Sequence, residues 1–185
     1  MSCKTGVVKK LDFFEVIEKR RSTRAYLDKE VEEEKLQKVL EAGNAAPSAG
    51  NLQAYEIVVV KSKRQKVAIS GAAHGQTFIA QAPVVLVVLA NQKRSATKYG
   101  KRGSDLYAIQ DSTIAASYMQ LAATALGLST CWVGAYDDAA VAEAIGADMS
   151  KGFKPEAVLP IGYSKETPRP TPRRKLSELI HKESL

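Results

Sequence analysis

Three guanidinium groups and two hydroxyls fall within five consecutive residues, Arg20-Arg21-Ser22-Thr23-Arg24. Arginine stays charged at any physiological pH and offers a planar fork of N–H donors that grips phosphate oxygens in pairs. The hydroxyls add short donors to the same stretch. Such a segment either reads phosphate or is a solvated basic surface, and the choice turns on whether other cations join it. A second basic cluster, Arg173-Arg174-Lys175, stands almost a whole chain away and could close on the same group. No GxGxxG follows a strand-like run, and GxxxxGK[ST] is absent. A phosphorylated ligand would therefore be held by arginines, not by a glycine-rich loop.

The periodicity of the chain indicates what must position these groups. Residues 11–20 read as a helix whose apolar face is Phe13, Phe14, Val16 and Ile17, with Asp12 placed to cap it. A second helix over 31–46 carries Leu36, Val39, Leu40 and Ala42-Gly43 on one side and ends at Pro47-Ser48-Ala49-Gly50-Asn51. The β-branched run in 56–61 predicts a short strand buried on both faces, followed by helical patterns over 63–73 and 76–81. Residues 84–89 give the strongest strand signal. The basic stretch 91–104, punctuated by Gly100 and Gly103, reads as a long loop whose Tyr99, Lys101 and Arg102 could cover a ligand or contact its phosphates. A long Ala-rich helix over 106–126 is expected to be central and buried, stopped by Gly127. A strand at 129–134, a helix at 138–145 capped by Asp137, and a strand at 157–163 follow, with Pro160 arguing for an edge or a bulge. Pro168, Pro170 and Pro172 then lead into the basic C-terminal run.

The 185 residues predict one domain over 10–185, with a loose tail at 1–9 and an extended arm at 164–185. A formal net charge of +7 suits an anionic ligand. It also suits nucleic acid, but no aromatic-basic or zinc framework supports that reading, and no nucleic-acid partner is expected. Cys3 and Cys131 match no CxxC or zinc spacing, so they read as reduced thiols of a cytoplasmic protein without a metal site. No run is long or apolar enough to span a bilayer, and no apolar signal core opens the chain. Trp132 and Cys131 read as core residues and His74 as a surface residue. Asp111 reads as a structural acid that holds Arg20 or a neighbouring turn.

Five motifs occur in order: Arg20-Arg21-Ser22-Thr23-Arg24, Ala46-Pro47-Ser48-Ala49-Gly50-Asn51-Leu52-Gln53, Ala82-Pro83-Val84-Val85, Gly127-Leu128-Ser129-Thr130-Cys131-Trp132-Val133-Gly134 and Pro172-Arg173-Arg174-Lys175-Leu176-Ser177-Glu178-Leu179. In this the chain resembles the nitroreductase family of FMN-dependent oxidoreductases. The resemblance implies an α+β fold, with a mixed, largely antiparallel sheet flanked by helices. It also implies a homodimer with FMN at the subunit interface and NADH or NADPH as electron donor. Nitroaromatics and quinones are the implied acceptors, in a ping-pong cycle run at flavin N5 without a protein acid or nucleophile. By position, Arg24 and either Arg173 or Arg174 would take the phosphate. Arg20, Arg21 and Ser22 match the first flavin segment, in which Arg20 and Ser22 reach the ring and ribityl region. Pro47, Ser48 and Asn51 match the segment offered by the partner subunit, and Gly134 the glycine beside the ring. Gln53-Ala54-Tyr55 stands where the family often has Gln-Pro-Trp, and Arg-Arg-Lys-Leu where it has Arg-Lys-Pro-Leu. A flavin storage or sensor protein, or a specialised family member such as a dehalogenase or peptide dehydrogenase, is the alternative.

Overall fold

The computed structural model describes residues 11–185; the tail expected at 1–9, with Cys3, lies outside the described residues. Helix α1 (Phe13–Lys19) opens with the expected cap. Asp12 accepts the Glu15 N–H at 2.8 Å, and the Glu15 carboxylate accepts the Asp12 N–H in return. Of its apolar face only Val16 is buried, while Phe13 and Phe14 are 63% and 78% exposed. The other helices are α2 (Glu33–Asn44), α3 (Lys63–Ala72), α4 (Phe78–Gln81), α5 (Gln92–Arg102), α6 (Ala108–Ala125) and α7 (Asp138–Ile145).

Strands β1 (Tyr55–Val60), β2 (Val84–Asn91), β3 (Ser129–Thr130) and β4 (Phe153–Gly162) form one sheet in the order β1-β2-β4-β3. All three pairings are antiparallel, and the parallel component is a single bridge between Ser22 and Thr130. Each face of β2 packs into its own apolar layer. Val85, Val87 and Leu89 meet α3, α4 and α7, whereas Val84, Leu86 and Val88 meet α2 and α6. A strand covered on both sides reads as a continuous apolar run, which is why 84–89 stood out in the sequence.

Four expectations are corrected. Residues 91–104 are not a loop: α5 occupies most of them, capped by the Asn91 side chain on the Arg94 N–H at 3.1 Å. Gly100, at φ 54°, breaks that helix, and a π-helical turn (Gly103–Tyr107) joins it to α6. Strand β1 is an edge strand and is not buried on both faces, since Val59 is 39% exposed. β4 lies inside the sheet, with its register shift opposite Val88 and Leu89, where Pro155 and Ala157 pair and Glu156 is left over. Pro160 is tolerated there because the ladder to β3 is interrupted between Ile161↔Thr130 and Val158↔Val133, and a residue without an N–H falls in the gap. The strand expected at 129–134 is accordingly only two residues long, plus the Val133 bridge.

Helix α6 is the predicted central helix, with Ala108, Ala115, Ala116, Met119 and Ala123 fully buried. Its small residues let α2 approach closely. Tyr55, which ends the Gln53-Ala54-Tyr55 departure noted above, donates its hydroxyl to the Gly43 carbonyl at 3.1 Å and so ties β1 to the end of α2.

Candidate functional site

The arginine segment leaves α1 as an extended strip laid against the sheet. Thr23 donates its N–H to the Thr130 carbonyl at 2.9 Å and is buried. Because side chains alternate along extended chain, inward Thr23 leaves Ser22 and Arg24 on the opposite side. Tyr26 pins the far end, its buried hydroxyl sharing its single proton between the Thr23 carbonyl at 2.9 Å and the Pro160 carbonyl at 3.1 Å. Burial pushes the Tyr26 phenol well above its ordinary value, so it remains a neutral donor.

The chain returns beside this strip. Tyr26 bridges Ser164, and Lys165 donates its N–H to the Ala25 carbonyl at 2.9 Å. The proline-rich arm runs on across a cleft of about 470 Å³ lined by Arg20, Arg21, Ser22 and Arg24 from one side and by Glu166, Arg169, Thr171 and Arg173 from the other. The two ends of the sequence therefore meet. Arg173 lines the cleft and donates to Thr171 Oγ1 at 3.1 Å, whereas Arg174 turns to Glu178, donating to its carbonyl at 2.9 Å. Arg21 is held by the Glu18 and Arg20 carbonyls, so its charge borders the cleft from a fixed position.

Two charged residues that the arm brings to the cleft were not singled out from the sequence. Arg169 sits between Pro168 and Pro170, and that Pro-Arg-Pro pattern was the available signal. Glu166 accepts the Arg24 N–H, a long-range contact that no local pattern reveals. Beneath the strip lies Cys131, a free thiol that is 1% exposed. Burial raises its pKa, against opposing influences from Arg24 and Ser22, and it behaves as a core residue, as expected.

Pro47, Ser48 and Asn51 do not line this cleft. They form a turn in which Ser48 Oγ accepts the Gln53 N–H at 2.9 Å and Asp111 Oδ1 accepts the Ala49 N–H at 2.8 Å. Asp111 is the structural acid expected, and it holds this turn. Its second oxygen, Oδ2, is buried with no hydrogen-bond partner. Pro47, Ser48 and Asp111 line a separate cleft of about 540 Å³ together with Tyr107, Gln110 and Ile114. Gly134 borders neither cleft; it is exposed after Val133, beside the Trp132 indole. Among the described residues no cluster of His, Cys, Asp and Glu has the makings of a metal site.

Known proteins resemble this chain in sequence and fold. The sequence model of the nitroreductase family matches residues 17–80 and 71–163. An NADH dehydrogenase of Thermus thermophilus is 31% identical over 189 aligned positions, spanning 88% of this chain and 91% of the relative. Among solved structures, the FMN-dependent nitroreductase of Clostridium difficile superposes with a TM-score of 0.76 at 30% identity, over 92% of this chain and 98% of that one. The NADPH:FMN oxidoreductase of Vibrio harveyi complexed with NAD+ superposes with a TM-score of 0.84 at 26% identity, over 94% and 77%.

Proposed function

The chain belongs to the nitroreductase family, and on that footing we propose that it is an FMN-dependent NAD(P)H oxidoreductase whose arginine cleft holds the flavin phosphate. The observation that carries the reading is the meeting of Arg20, Arg21 and Arg24 with Arg169 and Arg173 around one cleft. A phosphate monoester is close to a dianion at neutral pH, and this donor set is of the type that neutralises one. Ser22 adds a hydroxyl to the same wall.

Bound FMN would supply the redox chemistry, taking hydride from NAD(P)H at N5 and returning it to nitroaromatic, quinone or similar acceptors in a ping-pong cycle. The chain's own work is to bind and orient. Arg24 and Arg173 would neutralise the phosphate from opposite walls of the cleft, and fixed Arg21 would add charge without side-chain reorganisation. Arg20 would favour the negatively charged reduced cofactor. A backbone N–H near Gly134 would approach the ring without side-chain obstruction.

The reading includes a homodimer in which the turn Pro47, Ser48 and Asn51 of one copy completes the site of the other. Three features support it. That turn lines a cleft separate from the arginines. An apolar groove of about 400 Å³ runs between α1 and α6, lined by Phe13, Val16 and Tyr118. Leu176 and Ile180 of the arm are 70% and 61% exposed, which leaves apolar surface for a second copy to cover. No helix among the described residues is long and apolar enough to cross a membrane, and unpaired Cys131 fits the cytoplasmic location we assign.

The test is FMN retention by the purified protein and its Arg24→Ala variant. An unpaired phosphate oxygen in a partly buried site costs about 1–3 kcal/mol, so the variant should bind FMN roughly ten- to a hundredfold more weakly. Unchanged affinity would remove Arg24 from the site.

A further inference from the structure

The end of α5 carries an aromatic and basic cluster that lies outside the arginine cleft. Tyr99 and Tyr107 meet edge to face, with ring centroids 5.0 Å apart and planes at 89°. Lys98 Nζ lies 5.4 Å from the Tyr99 ring centroid, and the Arg102 guanidinium 5.3 Å from that of Tyr107. Arg102 Nε donates to the Tyr107 hydroxyl at 2.8 Å, which fixes the guanidinium plane and leaves its two terminal nitrogens free.

Two other cations of α5 are engaged elsewhere. Lys101 pairs with Asp105, and Arg94 Nε donates to the Leu52 carbonyl. Among the described residues no carboxylate pairs with Lys98 or Arg102. Two unpaired cations flanking an aromatic pair are suited to an anionic ligand that also carries a flat ring.

This cluster abuts the turn already assigned to the flavin site. A Cβ placed on Gly50 would lie 2.5 Å from the Tyr99 hydroxyl and 2.7 Å from Lys98 Nζ, so both side-chain tips rest against that turn. Tyr107 also lines the cleft that holds Pro47 and Ser48.

We propose that Lys98 and Arg102, with the Tyr99–Tyr107 pair, bind the adenosine 2′-phosphate end of the electron donor and make NADPH the preferred donor over NADH. The inference rests on the oxidoreductase reading above and deepens it. The two donors differ only at that ribose position, where NADPH has a phosphate and NADH a hydroxyl. Two cations there act on the difference itself, while adenine stacking on tyrosine serves both donors alike.

The flavin-loaded protein provides the test, with two readouts. Calorimetric titration should show adenosine 2′,5′-bisphosphate binding about tenfold or more tightly than adenosine 5′-monophosphate, with the preference reduced in Lys98→Ala and Arg102→Ala. The ratio of kcat/KM for NADPH to that for NADH, with a quinone acceptor, should exceed one and fall about tenfold in each variant. Equal binding of the two adenosine nucleotides by the wild-type protein would overturn the inference, even if a variant failed to fold. So would a ratio that neither variant moves. In either case reduction of the flavin by both donors would leave the oxidoreductase reading standing, whereas a protein unable to hold flavin would overturn both.

Discussion

Glu156 is the residue left unpaired by the β4 bulge, and its environment has a measurable consequence. Burial raises its pKa above the ordinary 4.5, and Lys154 Nζ at 3.4 Å opposes the shift without cancelling it. Below pH 4.5 the carboxyl is protonated in both folded and unfolded chains and costs nothing. As pH rises, the unfolded chain releases the proton first, so the folded state loses stability until the pH has passed the raised folded value. Glu156→Gln should therefore raise the melting temperature at neutral pH, with the gain shrinking as pH falls and vanishing under acid conditions. A gain that persisted unchanged in acid would mean that desolvation of the charge is not its cause. Arg24, by contrast, is exposed and owes its position to its backbone, whose N–H is held by Glu166.

At the scale of elements, a glycine sets the contact between α2 and α6. A Cβ on Gly43 would stand 2.8 Å from Met119 Cγ, and Met119 is fully buried. Gly43→Val should cost about 1–3 kcal/mol through overpacking, read as a lower urea midpoint. Adding Met119→Ala should cost less than the sum of the two single changes, because the cavity it leaves accepts the valine. The same scale shows what the sequence discloses. α6 and β2 were legible because both are covered on several sides and carry unbroken apolar or alanine-rich runs. α5 was not: its outward surface is polar and basic, and Gly100 and Gly103 resemble loop punctuation. Yet Gly103 is packed against the Ser95 carbonyl, where a Cβ would lie 2.5 Å away. The arginines of the cleft were legible as residue types, and Arg173 as one of two options. Glu166 and Arg169 owe their places to the path of the arm, which propensity does not encode.

At the scale of the whole molecule, opposite ends of the chain converge on one cleft while the turn at Pro47 to Asn51 lines another. In the homodimer proposed above, a second copy would bring the two together. Sedimentation should give twice the chain mass, and Phe13→Glu with Phe14→Glu should shift the protein toward monomer and lower its flavin content together. A monomer that retains full flavin would remove the shared-site account.

The account as a whole is tested most directly by mixing the flavin-loaded protein with NADPH under anaerobic conditions and following the visible flavin absorption. It predicts that the colour bleaches on a catalytic timescale and returns when a quinone is added. A protein that remains colourless after incubation with FMN and desalting, or one whose colour persists through the addition of both NADPH and NADH, would contradict it.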